Sequence, residues 1–289
     1  MVTTAKEHIA LRSGAEELAT KLPPLLVAAE RVAATVLQGV HGRRRVGQGE
    51  TFWQYRRYGA GDAATQIDWR QSARTQHIYV RENEWEAAQS VWLWADSSES
   101  MHYTSSTDLP TKADRARLLL LALATMLVRG GERFAFLGGG SLPSTGRGAL
   151  LNLTDSVLIA NDPTGLPPME NLPRDGQVVL IGDFLDTVPR VREAVLGLAK
   201  QGISGHIIHL LDPAELELPF EGRVRFHGME HDSKILINRV EAVRSNYRGR
   251  IEGHCAAIRE IGHDAGWNVI GHQTDGSPEA CLLSVYLAL

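Results

Sequence analysis

Ser90-Val-Trp-Leu-Trp-Ala-Asp96-Ser97-Ser98-Glu99-Ser100 is the stretch whose reading decides the fold. Its first half is apolar at successive positions instead of alternating. A strand of that kind is covered by helices on both faces, the condition of a parallel sheet. Its second half is the loop into which such a strand empties. There Asp96, Ser98 and Ser100 place one carboxylate and two hydroxyls at alternate positions, so that in an extended turn they point into one pocket. Hard oxygen donors of this kind suit Mg²⁺ or Mn²⁺, ions that keep waters and accept few protein ligands.

A second run, Gln177-Val-Val-Leu-Ile-Gly-Asp183, ends in an acid in the same way and is followed by Phe184-Leu185-Asp186. In open α/β sheets ligands bind beyond the C-terminal ends of the strands, where the winding direction reverses. If the two strands are neighbours, Asp96 and Asp183 meet over one edge. The plainer use of such acids is to cap the next helix; Asp186 or Thr187 is the cap expected for a helix over 188–200.

Working outward, strands and helices alternate from Trp85 onward. Strands are expected over 90–95, 133–137, 178–181, 206–211, 223–226 and 267–271. Helices are expected over 111–129, 149–159, 188–200, 239–261 and 278–287. This alternation predicts an α/β domain over 85–289, a doubly wound, mostly parallel sheet with right-handed crossovers. Gly130-Gly131 and Gly202 fall just past helix ends, and Ser277-Pro278 suits the start of the last helix. Ahead of this domain, residues 41–84 change texture. Glycines punctuate short stretches rich in Arg, Trp and Tyr, which predicts a small β-subdomain. Residues 1–40 read as a helical segment interrupted at Pro23-Pro24, with Leu25, Ala28, Ala29, Val32, Ala33 and Val36 at helical spacing.

Composition narrows the function. The net charge of −4 gives no global attraction to nucleic acid or an anionic membrane. The apolar run Leu118–Val128 is too short to span a bilayer, and Lys6, Glu7 and Arg12 interrupt any leader pattern. Cys255 and Cys281 carry no pairing motif, which excludes a thiolate metal cluster and leads to the expectation of a reducing cytoplasm. His206 and His209, three apart on a strand, face opposite sides, and no His-Glu-x-x-His spacing occurs. A Gly-x-Ser-x-Gly elbow is absent. A phosphatase of the haloacid dehalogenase kind wants a second aspartate where Ser98 stands. The expectation is therefore a protein that is not an enzyme, with a Mg²⁺-dependent phosphoester hydrolase using Asp96 and Asp183 as the alternative.

The arginines at 43–45, 56, 57, 70, 74 and 81, interleaved with Trp53, Tyr55, Tyr58 and Trp69, have the chemistry of a nucleic-acid surface. Glu50, Asp62, Asp68, Glu82, Glu84 and Glu86 in the same stretch favour internal pairing instead, with Asp68 and Arg74 the foremost pair. Arg57, Arg70, Arg74 and Trp69 are the candidates for contact with a partner protein.

The segment Gly47-Gln-Gly-Glu-Thr-Phe-Trp-Gln-Tyr-Arg-Arg-Tyr-Gly-Ala-Gly-Asp62, then Ile67-Asp-Trp-Arg-Gln-Ser-Ala-Arg74, then Val80-Arg-Glu82, resembles the signature of the bacterial "domain of unknown function" family fifty-eight. The resemblance runs from about Gly42 to the C-terminus. It includes Asp212-Pro-Ala-Glu215, Leu218-Pro-Phe-Glu-Gly222, Arg244 with Tyr247-Arg248, and Thr274-Asp275. Ala63, Thr65 and Gly182 depart from the family's usual residues. The resemblance implies a von Willebrand factor A-like domain behind the Arg/Trp-rich stretch. It further implies a metal-ion-dependent adhesion site in which Asp96, Ser98, Ser100 and Thr164 hold Mg²⁺ and Asp183 binds through a water. Thr145 and Thr154 are rivals of Thr164. Also implied are a MoxR-type AAA+ ATPase partner and a role in assembling or maturing client complexes, with a metal-free scaffold as the remaining alternative.

Overall fold

The computed structural model describes residues 25–37, 52–59, 67–74, 77–83, 90–229 and 234–289. The chain forms two compact units, one of residues 43–89 and one of residues 1–42 together with 90–289. Helix α1, over 25–37, belongs to the larger unit and buries Ala29, Val32, Ala33 and Val36 in its hydrophobic cluster.

In the smaller unit β1 (Phe52–Arg57) pairs antiparallel with β2 (Tyr79–Asn83), with a register shift between Phe52 and Gln54. The short helix α2 (Trp69–Ser72) lies between them in sequence. Asp68 ties it to β2: its N–H donates to the Tyr79 carbonyl at 2.9 Å, and its own carbonyl accepts from the Ser72 hydroxyl at 2.7 Å.

The larger unit is built on a five-stranded sheet whose pairings are all parallel. Its strands are β3 (Ser90–Ala95), β4 (Arg133–Phe136), β5 (Gln177–Gly182) and β6 (Ser204–Leu211), with β9 (Asn268–Gln273) at the far edge. The order is β4-β3-β5-β6-β9, so the chain first steps outward from β3 and then returns to β5 on its other side. The winding reverses between β3 and β5. Both strands are buried over their last five residues, as their apolar runs require.

Helix α3 (Lys112–Gly130) starts at Thr111, whose hydroxyl accepts from the Asp114 N–H, and stops at Gly131, with φ 77°. Leu119 to Ala124 are wholly buried, so the middle of this helix is apolar all round and sits in the core. Helices α4 (Gly146–Ile159), α5 (Val188–Ala199), α7 (Val240–Ala265) and α8 (Pro278–Tyr286) complete the layers. Close approach needs glycine at position 205. A Cβ there would lie 2.5 Å from the Trp267 indole, whose Nε1 donates to the Ile203 carbonyl.

Two expectations change. The strand expected over 223–226 forms as β7 (Val224–His227), but it pairs antiparallel with β8 (Lys234–Ile237) in a separate ribbon. Its alternating exposure suits a ribbon with one wet face, and the run Lys234-Ile-Leu-Ile is too short to announce itself in sequence. A one-turn helix α6 (Pro213–Glu217) was also not anticipated; Asp212 and Glu215 close a capping box at its start. At α5 the N-cap is Thr187, which makes no side-chain cap bond; Asp186 instead accepts from the Thr187 N–H and pairs with Arg190.

Candidate metal centre

Strands β3 and β5 are neighbours with Ala95 opposite Ile181, and the Asp96 N–H donates to the Ile181 carbonyl at 2.8 Å. Asp96 and Asp183 therefore leave adjacent strands at the point where the winding reverses. Gly182 allows this approach: a Cβ there would stand 2.9 Å from Asp96 Cβ.

The loop after β3 turns back on its own carboxylate. Asp96 Oδ1 accepts from the Ser98 N–H at 2.8 Å, and a 3₁₀ turn over Glu99–His102 follows. Ser98 Oγ and Ser100 Oγ lie 3.1 Å apart, and Ser100 Oγ donates to Asp183 Oδ2 at 2.6 Å. Asp96, Ser98, Ser100 and Asp183 are all buried. The structure thus brings together four of the five residues assigned to the metal. After Asp183 the backbone is forced into the left-handed region at Phe184, with φ 48°. His209 Nε2 donates to the Asp183 carbonyl at 3.0 Å and His254 Nε2 to the Phe184 carbonyl at 2.8 Å, which holds that turn in place.

The fifth residue, Thr164, is exposed in a turn, its N–H donating to Asp162 Oδ1 at 2.9 Å. Its neighbour Gly165 makes the approach: a Cβ there would be 3.4 Å from Ser98 Oγ and 3.5 Å from Asp96 Oδ2. Of the rivals, Thr154 spends its hydroxyl on the Leu150 carbonyl, and Thr145 occupies the N-cap position of α4.

Sequence reasoning missed Lys112. It is wholly buried at the first position of α3, and its ammonium donates to Asp183 Oδ2 at 2.7 Å and to Glu215 Oε1 at 2.5 Å. Glu215 is fixed in turn by the Asp212 N–H on Oε2, at 2.8 Å. Tyr247 donates its hydroxyl to the Glu215 carbonyl at 2.7 Å. A lysine after a helix cap looks like a solvated residue; only the fold supplies its two anions. Asp212-Pro-Ala-Glu215 was visible as a motif, but its spacing gave no hint of a partner on α3.

Burial, and then the charge of Asp183, pushes the Asp96 carboxyl up to about 7. Burial works against the Lys112 ammonium, yet Asp183 and Glu215 outweigh it and hold the group above its ordinary range. Burial, followed by His254, lowers His209 to about 4, so its ring is neutral near pH 7.

Two observations bear on whether this set suits a divalent ion. Asp96 Oδ2 is buried with no hydrogen-bond partner, the cost that a bound cation removes. In an octahedron with metal–oxygen bonds of about 2.1 Å, adjacent ligand oxygens stand about 3.0 Å apart. The two serine hydroxyls, at 3.1 Å, match such an edge. The donors suit Mg²⁺ in type, and the serine pair suits it in spacing. Among the described residues no group of three or more His, Cys, Asp or Glu side chains could hold a metal. Beside Ser100 opens a recess of about 380 Å³ with an apolar wall of Leu185, Leu218, Phe220, Phe226 and Met229.

Arg57, Trp69, Arg70 and Arg74 are exposed on the smaller unit, Trp69 at 66 %. No helix of the described residues is long and apolar enough to cross a membrane.

Residues 54–257 match the family described as "Protein of unknown function DUF58". Uncharacterized proteins of Mycobacterium bovis and Mycobacterium tuberculosis are 25 % identical over 279 residues, covering 90 % of this chain and 86 % of theirs. Among solved structures the chain is similar to the conserved hypothetical protein BatB from Bacteroides thetaiotaomicron. That likeness has 15 % identity and a TM-score of 0.39, and spans 69 % of this chain and 98 % of that one. An aerotolerance-related membrane protein from Bacteroides fragilis gives 15 % identity and a TM-score of 0.37, over 69 % and 97 % of the two chains.

Proposed function

Since this chain belongs to the DUF58 family of proteins of unknown function, we propose that it is a non-enzymatic protein-interaction module. On this reading its larger unit is a von Willebrand factor A-like domain that engages partners through Mg²⁺ at an adhesion-type site. It works in the cytoplasm with a MoxR-type AAA+ ATPase in the assembly or maturation of client complexes. The observation that carries the reading is Asp96 Oδ2, a buried carboxylate oxygen without a partner beside two serine hydroxyls.

Asp96, Ser98 and Ser100 would hold the ion beside Asp183, and Thr164, exposed in the adjoining turn, would have to swing inward to join them. The ion supplies a Lewis-acidic centre that keeps a position for an outside oxygen, and an acidic side chain of a client is the natural donor. The chain's own residues do the rest. The Ser98 N–H orients Asp96, Ser100 bridges to Asp183, and His209 and His254 hold the turn at Phe184. The apolar recess next to Ser100 gives room for side chains flanking the client's acid.

The test is a pull-down from the native bacterial lysate with wild-type and Asp96→Ala bait, each with Mg²⁺ or with EDTA. The reading expects a MoxR-type ATPase or its client to be retained by wild type with Mg²⁺ alone. Retention indifferent to both changes, but lost in Trp69→Ala, would move the docking site to the smaller unit. Hydrolysis of generic phosphoesters by the pure protein, abolished by Asp96→Asn, would replace the reading with an enzymatic one.

A further inference from the structure

Lys112 and its partner Glu215 are charged groups of this cluster that the proposed function does not use. Lys112 Nζ shares Asp183 Oδ2 with Ser100 Oγ, at 2.7 and 2.6 Å, so one carboxylate oxygen serves both a resident cation and a hydroxyl of the proposed metal set. The ammonium is buried: the side chain is 0 % exposed, and α3 fixes its root one residue past the Thr111 cap. On its far side Glu215 takes a second contact at 2.5 Å and is itself immobilised by the capping box of α6.

We propose that Lys112 is a built-in counter-cation that sets the divalent affinity of the site, keeping it low until a partner's carboxylate is added. The inference rests on the metal reading above and assigns the regulation of that same site. The physical basis is charge competition. Lys112 already neutralises Asp183, and like charges brought close together in a dry environment repel far more strongly than in water. A divalent ion among Asp96, Ser98 and Ser100 is therefore held against the ammonium. Each carboxylate that a client contributes shifts the balance back toward the ion, which makes metal binding and partner binding mutually supportive. Glu215 shares the ammonium and so stops Lys112 from neutralising Asp183 completely.

A merely structural lysine makes a different prediction. Removing one partner of a buried ion pair destabilises the fold, and metal affinity either stays the same or falls with it. If Lys112 competes, its removal leaves Asp183 and Glu215 unneutralised and tightens the hold on a divalent ion.

The experiment titrates Mn²⁺ into the full chain, with free Mn²⁺ read by electron paramagnetic resonance. The proteins are wild type, Lys112→Met, Lys112→Gln and, as a control for lost charge, the exposed Lys200→Met. The expected result is an affinity at least tenfold higher in both Lys112 variants and unchanged in Lys200→Met. The gain should vanish when Asp96→Ala is added. Melting temperatures with and without Mn²⁺ provide a second readout, with Mn²⁺ raising the Lys112 variants by more than wild type. Unchanged or weaker binding in the Lys112 variants, with wild type still binding in an Asp96-dependent way, overturns the inference and leaves the metal reading standing. Absence of Asp96-dependent binding in every protein overturns both.

Discussion

Asp96 is the residue on which the site turns, and its burial makes a prediction about stability. Burial, and then the charge of Asp183, push its carboxyl from an ordinary 3.8 up to about 7, so the folded state holds the proton more tightly than the unfolded chain. The favourable contribution is complete below the unfolded value and is lost as pH rises through about 7. A difference of about three pKa units corresponds to about 4 kcal/mol. Urea denaturation of wild type and Asp96→Asn should show wild type losing up to about 4 kcal/mol relative to the variant between pH 4 and pH 8. Saturating Mg²⁺, which favours the ionised carboxylate, should reverse much of that loss. A difference that stays flat across the range contradicts the burial argument. At this scale the sequence was legible where donor chemistry coincided with a strand end: Asp96, Ser98, Ser100 and Asp183 could be named because a run of apolar residues points at each group. Lys112 could not, because its two anions come from the loop just past β5 and from α6, 71 and 103 residues away.

Among the elements, the pairing of β3 with β5 brings the two acids together, and Gly182 is the residue that permits it. A serine or alanine there places Cβ 2.9 Å from Asp96 Cβ and 3.4 Å from the Trp94 ring. Gly182→Ser should therefore destabilise by about 1–3 kcal/mol, the range of overpacked cores. Chemical denaturation checks this, and a neutral substitution would mean that the strand ends relax apart. The departure at Gly182 thus has a steric reason in this chain. Apolar runs announced the central strands because burial on both faces leaves no other pattern. The β7–β8 ribbon was half missed: β7 alternates in exposure, whereas in β8 three successive residues, two of them the aliphatic Ile235 and Leu236, are exposed, and a run of four residues is too short for periodicity to identify it as a strand.

For the whole molecule, the division into two units and the docking of α1 set what can be removed. Val32 and Val36 of α1 are 7 % and 3 % exposed and belong to the same buried cluster as β3 and α3. Val32→Asp buries an unpaired charge and should cost more than about 3 kcal/mol, seen as a drop in melting temperature. A change within about 0.5 kcal/mol would show that α1 is peripheral to the fold. Periodicity alone placed Ala29, Val32, Ala33 and Val36 on one helix face; which core that face joins is a tertiary fact. The central claim is that Asp96, Ser98 and Ser100 form a divalent-cation site, and a crystal grown in millimolar Mn²⁺ tests it most directly, because weak affinity is overcome at that concentration. The account predicts an anomalous peak at the Mn absorption edge within bonding distance of Asp96 Oδ2 and both serine hydroxyls, absent in Asp96→Ala. An ordered wild-type loop with no peak there would contradict it.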